Sequence, residues 1–253
     1  MSNSINQLIN DIDDFVIESD NESDNESDNE SDNENDNEKK IIYKVLSVDI
    51  GVLNLGISVS TLDEKYNLIE IVYINLIDIT KFVHNTFTDK CELYHTKTFC
   101  DWLNHVFQEH KCFEEADYIL IERQPPMGFV AIEQLIFSKY RNKAILISPN
   151  SMHAYFKIGN FDYDKRKEYT ENICKNNIKN PILLKQLELY HRRHDIADSV
   201  CLMLYWINKK KDEYETDRRR KIILERKIHL QKNGKNMSTN EWFECHRYIP
   251  RIV

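Results

Sequence analysis

Four carboxylate residues occur at positions where their side chains could act together. Asp49 closes an apolar run just before a glycine turn, and Glu122 closes a second apolar run. Because the strand ends of a sheet expose side chains to a cleft, we expect both carboxylates at its rim. Asp195 and Asp198 are three residues apart near the start of a helix, so they share one helical face. Two strand ends and one helical face can converge on a single point.

Carboxylates that converge in this way predict a metal centre. Four of them cannot all ionise cheaply at close range, so either divalent cations neutralise them or their pKa values rise. Oxygen ligands suit Mg2+ or Mn2+, and two such ions clamp the attacking and leaving oxygens of an in-line phosphoryl displacement. A structural interpretation of Asp195 and Asp198 is also open, because aspartates in the first turn of a helix often only interact favourably with the helix dipole.

The elements that must position these residues follow from the spacing of apolar side chains. Strands are predicted wherever short runs are β-branched or alternate, namely at 41–49, 56–61, 68–76, 117–122 and 144–148. Helices are predicted wherever apolar residues recur at helical spacing, namely at 97–110, 128–142, 163–176, 182–190 and from 193 through 211. This order predicts an α/β domain with a mixed five-stranded sheet flanked by helices.

Charge divides the chain into three segments. Residues 11–38 hold 14 Asp and Glu and no Lys or Arg, so the formal net charge of −8 conceals a basic body. We expect a disordered acidic tail over 1–39, since like charge without apolar residues cannot offset chain entropy. A folded domain is expected over 40–210 and a basic helical extension over 211–253. In that extension Arg218, Arg219 and Arg220 are expected to contact DNA phosphates, with a solvated helix as the alternative.

Composition also bounds the compartment and the partner. No run of about 18 apolar residues occurs, and the N-terminus has no apolar signal region. We therefore expect an intracellular protein that does not span a membrane, with its six cysteines reduced. Outside residues 11–38, 34 basic residues face 28 acidic ones, and this excess favours a polyanionic partner over a small molecule.

Three motifs resemble those of the RuvC-like Holliday junction resolvases. SVDIGVLNLGISV (47–59) is similar to the first motif, LIERQPP (120–126) to the second and RRHDIADSV (192–200) to the third. The poxvirus-type resolvases of large DNA viruses are the most similar by eye. The resemblance covers roughly residues 43–208 and implies an RNase H-like fold of the RuvC branch.

The resemblance also implies roles for single residues. Asp49, Glu122, Asp195 and Asp198 would ligate two Mg2+ or Mn2+ ions. Lys165 would be catalytic and position the scissile phosphate or the attacking water, because Asp164-Lys165 matches a step of the family pattern. Further expected contacts or candidates are Lys167, Arg123 and Gln124 as DNA contacts, His194 beside Asp195, and His153 where bacterial enzymes have an earlier lysine.

These observations predict a structure-selective endonuclease that resolves four-way DNA junctions. A junction is two-fold symmetric and needs two opposed cuts, so a C2 homodimer with two active sites is expected. Its task would lie in viral DNA recombination, repair and replication, in the cytoplasm or nucleus of the host cell. Two alternatives stay open: an RNase H-like nuclease that acts on RNA–DNA hybrids or flaps, and a junction-binding protein without catalysis.

Overall fold

Five strands form a single sheet. The computed structural model of the chain describes residues 41–51, 53–80 and 98–232, with side chains described up to residue 229. Each predicted strand is present; the second and third extend two residues beyond one or both predicted ends, and the fourth and fifth are each one residue shorter. The strands are β1 (Ile42–Ile50), β2 (Asn54–Asp63), β3 (Leu68–Asp78), β4 (Tyr118–Glu122) and β5 (Ala144–Ile147).

The strand order confirms the predicted fold class. The sheet runs β3-β2-β1-β4-β5, with β1 to β3 antiparallel and β4 and β5 parallel to β1. Three antiparallel strands followed by two parallel ones that return through helices define the RNase H-like sheet. The order places β1 at the centre, where it has a partner on each side. The carboxyl ends of β1, β4 and β5 therefore meet at one edge of the sheet.

Helices cover both faces of the sheet, and two of them were not expected. The predicted helices are present with ends shifted by a few residues, except the last, which runs far beyond residue 211. Pro149, which directly follows the predicted strand 144–148, stands in the first turn of a short helix, where a backbone N–H would have no partner within the helix. The helices are α1 (Phe99–Glu109), α2 (Cys112–Glu115), α3 (Val130–Lys139), α4 (Pro149–Tyr155), α5 (Tyr163–Asn177), α6 (Pro181–Leu189) and α7 (Arg193–Lys232).

Alternation along the strands decides which side chains meet which helices. In β1, Val45 packs into the core that contains residues of α5, α6 and α7, whereas Leu46 and Val48 pack into the core that contains residues of α1 and α3. Since successive side chains of a strand point to opposite faces, Asp49 lies on the α7 face. The same count from buried Leu120 in β4 puts Glu122 on that face too.

Helix α7 lies on the sheet along its first half only. Its start contacts the β1–β2 turn, and Trp206 packs against Tyr118 and Tyr66 near the opposite edge of the sheet, with ring centroids 5.0 and 5.8 Å apart. The 40 residues of α7 make a helix about 60 Å long, far longer than the sheet it crosses. Residues 209–229 are therefore half-buried or exposed.

Two segment boundaries were predicted, one after residue 39 and one after residue 210. The acidic segment 1–39 lies outside the described residues. At the other boundary, α7 continues without a break through residue 210, so the expected extension begins within a helix rather than at a linker. The division of the chain at 210 remains a prediction.

Candidate active site

Asp49 and Glu122 stand side by side at the carboxyl ends of β1 and β4. The two strands are parallel and pair Val48 with Ile121, so the next residue of each lies at the same edge of the sheet. Both side chains lie on the α7 face, and the two carboxyls hydrogen-bond each other. Asp49 is only 6% exposed. The strand ends therefore hold a buried carboxyl pair.

The protonation of this pair follows from its surroundings. Burial raises the pKa of Asp49 well above its usual range, and the Glu122 and Asp198 carboxylates raise it further. Burial also raises the pKa of Glu122, although the hydrogen bonds it receives from Asp49 and Gln124 act in the opposite direction. A hydrogen bond between two carboxyls needs one shared proton, and burial together with the neighbouring carboxylate of Asp198 favours keeping that proton on the pair. Cation binding would release it, as metal binding to carboxyls generally does.

The two aspartates of α7 have cationic partners. Asp195 is buried, and its Oδ2 accepts a hydrogen bond from Arg192 Nε at 2.8 Å. Its Oδ1 lies 3.2 Å from His194 Nε2. Asp198 accepts a hydrogen bond from the ammonium of Lys167. The structure thus brings Asp198 near the strand pair, where its charge raises the pKa of Asp49, while Asp195 is held by a guanidinium.

Two glycines of the first motif allow α7 to begin directly on the sheet. Gly56 is paired with Asp49 across β1 and β2. A Cβ added at Gly56 would lie 2.3 Å from the carbonyl carbon and oxygen of Asp195, so no side chain fits there. A Cβ at Gly51 would lie 3.2 Å from Asp195 Oδ2. The glycine spacing that resembles the family motif therefore has a steric reason in this chain.

The structure brings Lys167, not Lys165, to the carboxyls. The Nζ atom of Lys165 lies 4.6 Å from the centre of the Phe161 ring, and no contact joins it to the four acidic residues. Lys167 binds Asp198, and although burial lowers the pKa of Lys167, the Asp198 charge raises it above the usual value. Residues two apart on a helix point in nearly opposite directions, so only one of these lysines can face α7.

Gln124 acts within the site rather than at its rim. Its Nε2 donates to Glu122 Oε2 at 2.7 Å, and its backbone N–H donates to the buried carboxylate of Glu133. Glu133 was missed from the sequence, although an acidic residue beside the apolar Ile132 and Ile136 of α3 was a visible signal. Arg123 is exposed and lines a separate cavity beside β5 and α7.

Two histidines lie near the acidic residues. Burial lowers the pKa of His194, and the charges of Lys167 and Arg192 lower it further against the opposing effect of Asp195. Burial likewise lowers the pKa of His153, which lines a cavity beside α4. Arg192 was missed from the sequence, yet its position three residues before Asp195 in the third motif could have indicated the pairing.

Three predicted DNA contacts lie far from the carboxyls. Arg218, Arg219 and Arg220 are exposed on the outer half of α7. Two of them pair along the helix, Arg218 with Glu215 at 3.4 Å and Arg220 with Asp217 at 3.1 Å. About 20 residues of helix separate them from Asp198, a distance of roughly 30 Å. The structure does not bring these arginines to the same site.

The residues present fit a divalent cation by their chemistry, though their arrangement is incomplete. The acidic side chains offer only oxygen ligands, which suits Mg2+ or Mn2+ over softer ions. Their strongest signal is the buried Asp49–Glu122 pair, whose two carboxyls are close enough for each to influence the protonation of the other. Within the described ranges, no three His, Cys, Asp or Glu side chains form a ready-made metal cluster. Asp195 and Asp198 instead bind Arg192 and Lys167.

The strand order and the acidic site beside α7 define a protein of the RNase H-like class. A family model described as "Poxvirus A22 protein" matches residues 43–210. Because the match covers most of the chain, the chain belongs to this family. The matched residues include the ends of β1 and β4, the carboxyl pair and the buried half of α7. A search of curated proteins returned no match.

Solved structures with a similar fold include resolvases from three sources. The fowlpox virus resolvase in complex with Holliday junction DNA has 18% identity and a TM-score of 0.49, covering 66% of this chain and 97% of that one. The yeast mitochondrial Holliday junction resolvase has 17% identity and a TM-score of 0.49, covering 68% and 82%. Thermus thermophilus RuvC has 10% identity and a TM-score of 0.42, covering 68% and 98%.

None of the helices in the described part of the chain combines the length and the apolar character needed to cross a bilayer.

Proposed function

We propose that this protein is an endonuclease that resolves four-way DNA junctions by paired, symmetric nicks. The observation that carries the proposal is the buried Asp49–Glu122 pair, with Asp198 and Lys167 facing it from the helices. Such a cluster suits phosphoryl transfer, because catalysis there consists mainly of positioning and charge stabilisation. Membership of the poxvirus A22 family and the three motifs support the choice of a junction-resolving enzyme. We place its work where viral DNA replicates, in the cytoplasm or nucleus of the host cell.

Asp49, Glu122, Asp195 and Asp198 would hold two Mg2+ or Mn2+ ions. When bound, such ions lower the pKa of an attacking water and stabilise the charge that develops on the leaving oxygen. Of the four ligands, Asp49 and Glu122 already lie together, and Gln124 fixes the orientation of the Glu122 carboxylate through its amide. The pair would give up its shared proton on loading. The proposal therefore assigns the strand pair as the centre of the site.

Lys167 takes the role that the sequence suggested for Lys165. Its ammonium neutralises part of the acidic charge through Asp198, and its charge lowers the pKa of Asp49. A cation at that position can donate hydrogen bonds to a non-bridging oxygen of the scissile phosphate. Lys167 thus offsets part of the acidic charge and would draw the DNA backbone toward the carboxyls. Arg192 plays the corresponding part for Asp195 by holding its carboxylate in one orientation.

A homodimer would supply the second cut. A four-way junction presents two equivalent strands, and two copies related by a two-fold axis present two equivalent sites. The protein would recognise the shape and the phosphate backbone of the junction, and sequence preference would come from how easily the DNA deforms at the cut. Arg123 on the exposed rim, and the arginines of the outer half of α7, would bind the arms electrostatically.

The test is a comparison of substrates with the purified full chain. A mobile four-way junction, a linear duplex and an RNA–DNA hybrid are each incubated with Mg2+ or Mn2+, and the products are sized on a denaturing gel. We expect paired nicks at symmetric positions on the junction alone, with 5′-phosphate and 3′-hydroxyl ends.

Each other outcome identifies one of the alternatives. Cleavage of the hybrid without the junction would replace the resolvase by an RNase H-type nuclease with the same site. Junction binding without a metal-dependent product would indicate a binding protein. Glu188→Gln, an exposed residue of α6, serves as the matched charge control and should cut as the unaltered chain does.

A further inference from the structure

A cavity between α4 and α5 is lined by cationic and amide side chains. It has a volume of about 490 Å3, which is within the range of sites that hold a nucleotide-sized group. No Asp or Glu is among the described residues that line it. Its polar lining consists of Asn150, His153, Lys157, Asn160 and Arg166. We call it the α4–α5 cavity.

The two cationic side chains of this cavity, Arg166 and Lys157, have no carboxylate partner in the part of the chain that the structure describes. Arg166 is half-buried, and a guanidinium that has lost part of its water without gaining an anion favours an anionic ligand. Asn150 and Asn160 add amide donors that suit phosphate oxygens. The cavity is therefore built for an anion.

The backbone at Lys157 closes the C-terminal end of α4 beside this cavity. Lys157 has a φ of 58°, in the left-handed region that residues with a side chain rarely adopt. Hydrogen bonds hold the conformation: Lys157 N–H donates to the Ala154 carbonyl at 3.2 Å, and Ile158 N–H donates to the His153 carbonyl at 3.0 Å. These two bonds form the Schellman motif that commonly ends a helix, so the end of α4 holds the backbone of Lys157 in one conformation.

The cavity adjoins the acidic site. Arg166 and Lys167 are consecutive on α5, so their side chains diverge by about 100°, and Lys167 reaches Asp198 while Arg166 lines the cavity. His153 lines the cavity and lies near enough to the acidic site for the charges of Asp198 and Lys167 to act on its imidazole. A DNA strand that passes the carboxyls on this side would reach the cavity next.

We propose that the α4–α5 cavity binds a phosphodiester of the cut DNA strand close to the scissile phosphate, with Arg166 and Lys157 as its contacts. This inference rests on the proposed function, because it takes DNA as the ligand. It adds a second anchoring point on the same strand. Two anchored phosphates fix the direction of the backbone across the site, whereas Lys167 alone fixes one point.

The experiment measures junction binding without cutting. The full chain carrying Glu122→Gln is titrated in Mg2+ with a four-way junction, at several salt concentrations. Arg166→Gln in this background should weaken binding by about tenfold, and it should lower the slope of log affinity against log salt by about one. Lys157→Gln should act in the same direction. Lys185→Gln, an exposed lysine of α6, is the matched control and should leave affinity and slope unchanged.

A second probe changes the DNA instead of the protein. Methylphosphonate linkages, which remove one charge, are placed singly on each side of the cut position. One position should weaken binding of the unaltered cavity and have no further effect when Arg166→Gln is present, since the two changes remove the same contact. Thermal denaturation shows whether each variant is folded, and the methylphosphonate series on the unaltered cavity decides the matter if a variant is not.

Three results would overturn the inference. A junction that is bound and cut normally, with no dependence on Arg166 or on any neighbouring phosphate, would overturn the cavity assignment and leave the proposed function standing. Binding of inorganic phosphate that Arg166→Gln abolishes, without a change in junction affinity, would assign the cavity to a free anion. Failure of the Glu122→Gln chain to bind any junction would overturn the proposed function together with the inference.

Discussion

The two halves of α7 have the same secondary structure and opposite surroundings. From Arg193 to Ile207 the helix packs against the sheet, and its polar residues are few and each has a partner. From residue 209 onward its side chains are half-buried or exposed, and the ion pairs described there join residues three apart along the helix. Charge on the first half is therefore placed by packing, whereas charge on the second half is solvated. The same residue type should matter greatly in one half and little in the other.

The sharpest form of this comparison uses one aspartate from each half. Asp198→Asn removes a carboxylate that faces the strand pair, so we expect cleavage to fall by about 1,000-fold or more while junction binding is kept. Asp212→Asn, an exposed residue of the outer half, should change cleavage less than twofold. Single-turnover cleavage of a labelled junction measures both. Equal effects of the two substitutions would contradict the distinction between the halves.

The second comparison is between two lysines of α5. Lys167→Gln leaves Asp198 without its partner and removes the positive charge nearest Asp49, so we expect single-turnover cleavage to fall by about 100-fold. Lys165→Gln removes only a contact with the Phe161 ring and should keep most of the activity. A larger loss in Lys165→Gln than in Lys167→Gln would return the role to the residue that the motif first suggested.

The contact between α7 and the sheet can be broken without touching a charge. Gly56→Ala puts a methyl group against the backbone of Asp195, and we expect a loss of about 2–3 kcal/mol in the free energy of unfolding, measured by urea denaturation. Gly159→Ala meets nothing within 4 Å and serves as the control. Similar stability of both variants would show that α7 is not seated on β2 as described.

The smallest effect belongs to the outer half. Replacing Arg218, Arg219 and Arg220 together by Gln should weaken junction binding by about tenfold at low salt and flatten its salt dependence. Cleavage of bound junction should stay unchanged, because roughly 30 Å of helix separates these residues from Asp198. Loss of the bound-state cleavage rate would show that the outer half takes part in the chemistry.

Much of the site could be predicted from the sequence because strands have a simple period. Side chains alternate between the two faces of a sheet, so Asp49 and Glu122 can be assigned to one face once the strands are known. The glycines of the first motif mark where a helix must approach the sheet. The length of α7 could also have been predicted, since neither Gly nor Pro occurs between residues 193 and 232.

The remaining features depend on tertiary packing. Which lysine of α5 faces the carboxyls depends on how that helix is rotated about its axis relative to α7. Lys165 and Lys167 are two residues apart, so they lie on nearly opposite sides of the helix. The partner of Gln124 could not be predicted either, because Glu133 reaches it only after β4 and α3 are packed together. Short helices such as α4 escape prediction since seven residues carry too little periodicity.

The central claim is that Asp49 and its neighbours form the site that cuts branched DNA. The most direct measurement is single-turnover cleavage of a mobile four-way junction in Mg2+ by the unaltered chain and by Asp49→Asn, with junction binding measured on both. We predict paired symmetric nicks from the unaltered chain, and full binding without cleavage from the variant. Cleavage by Asp49→Asn at the unaltered rate would contradict the account.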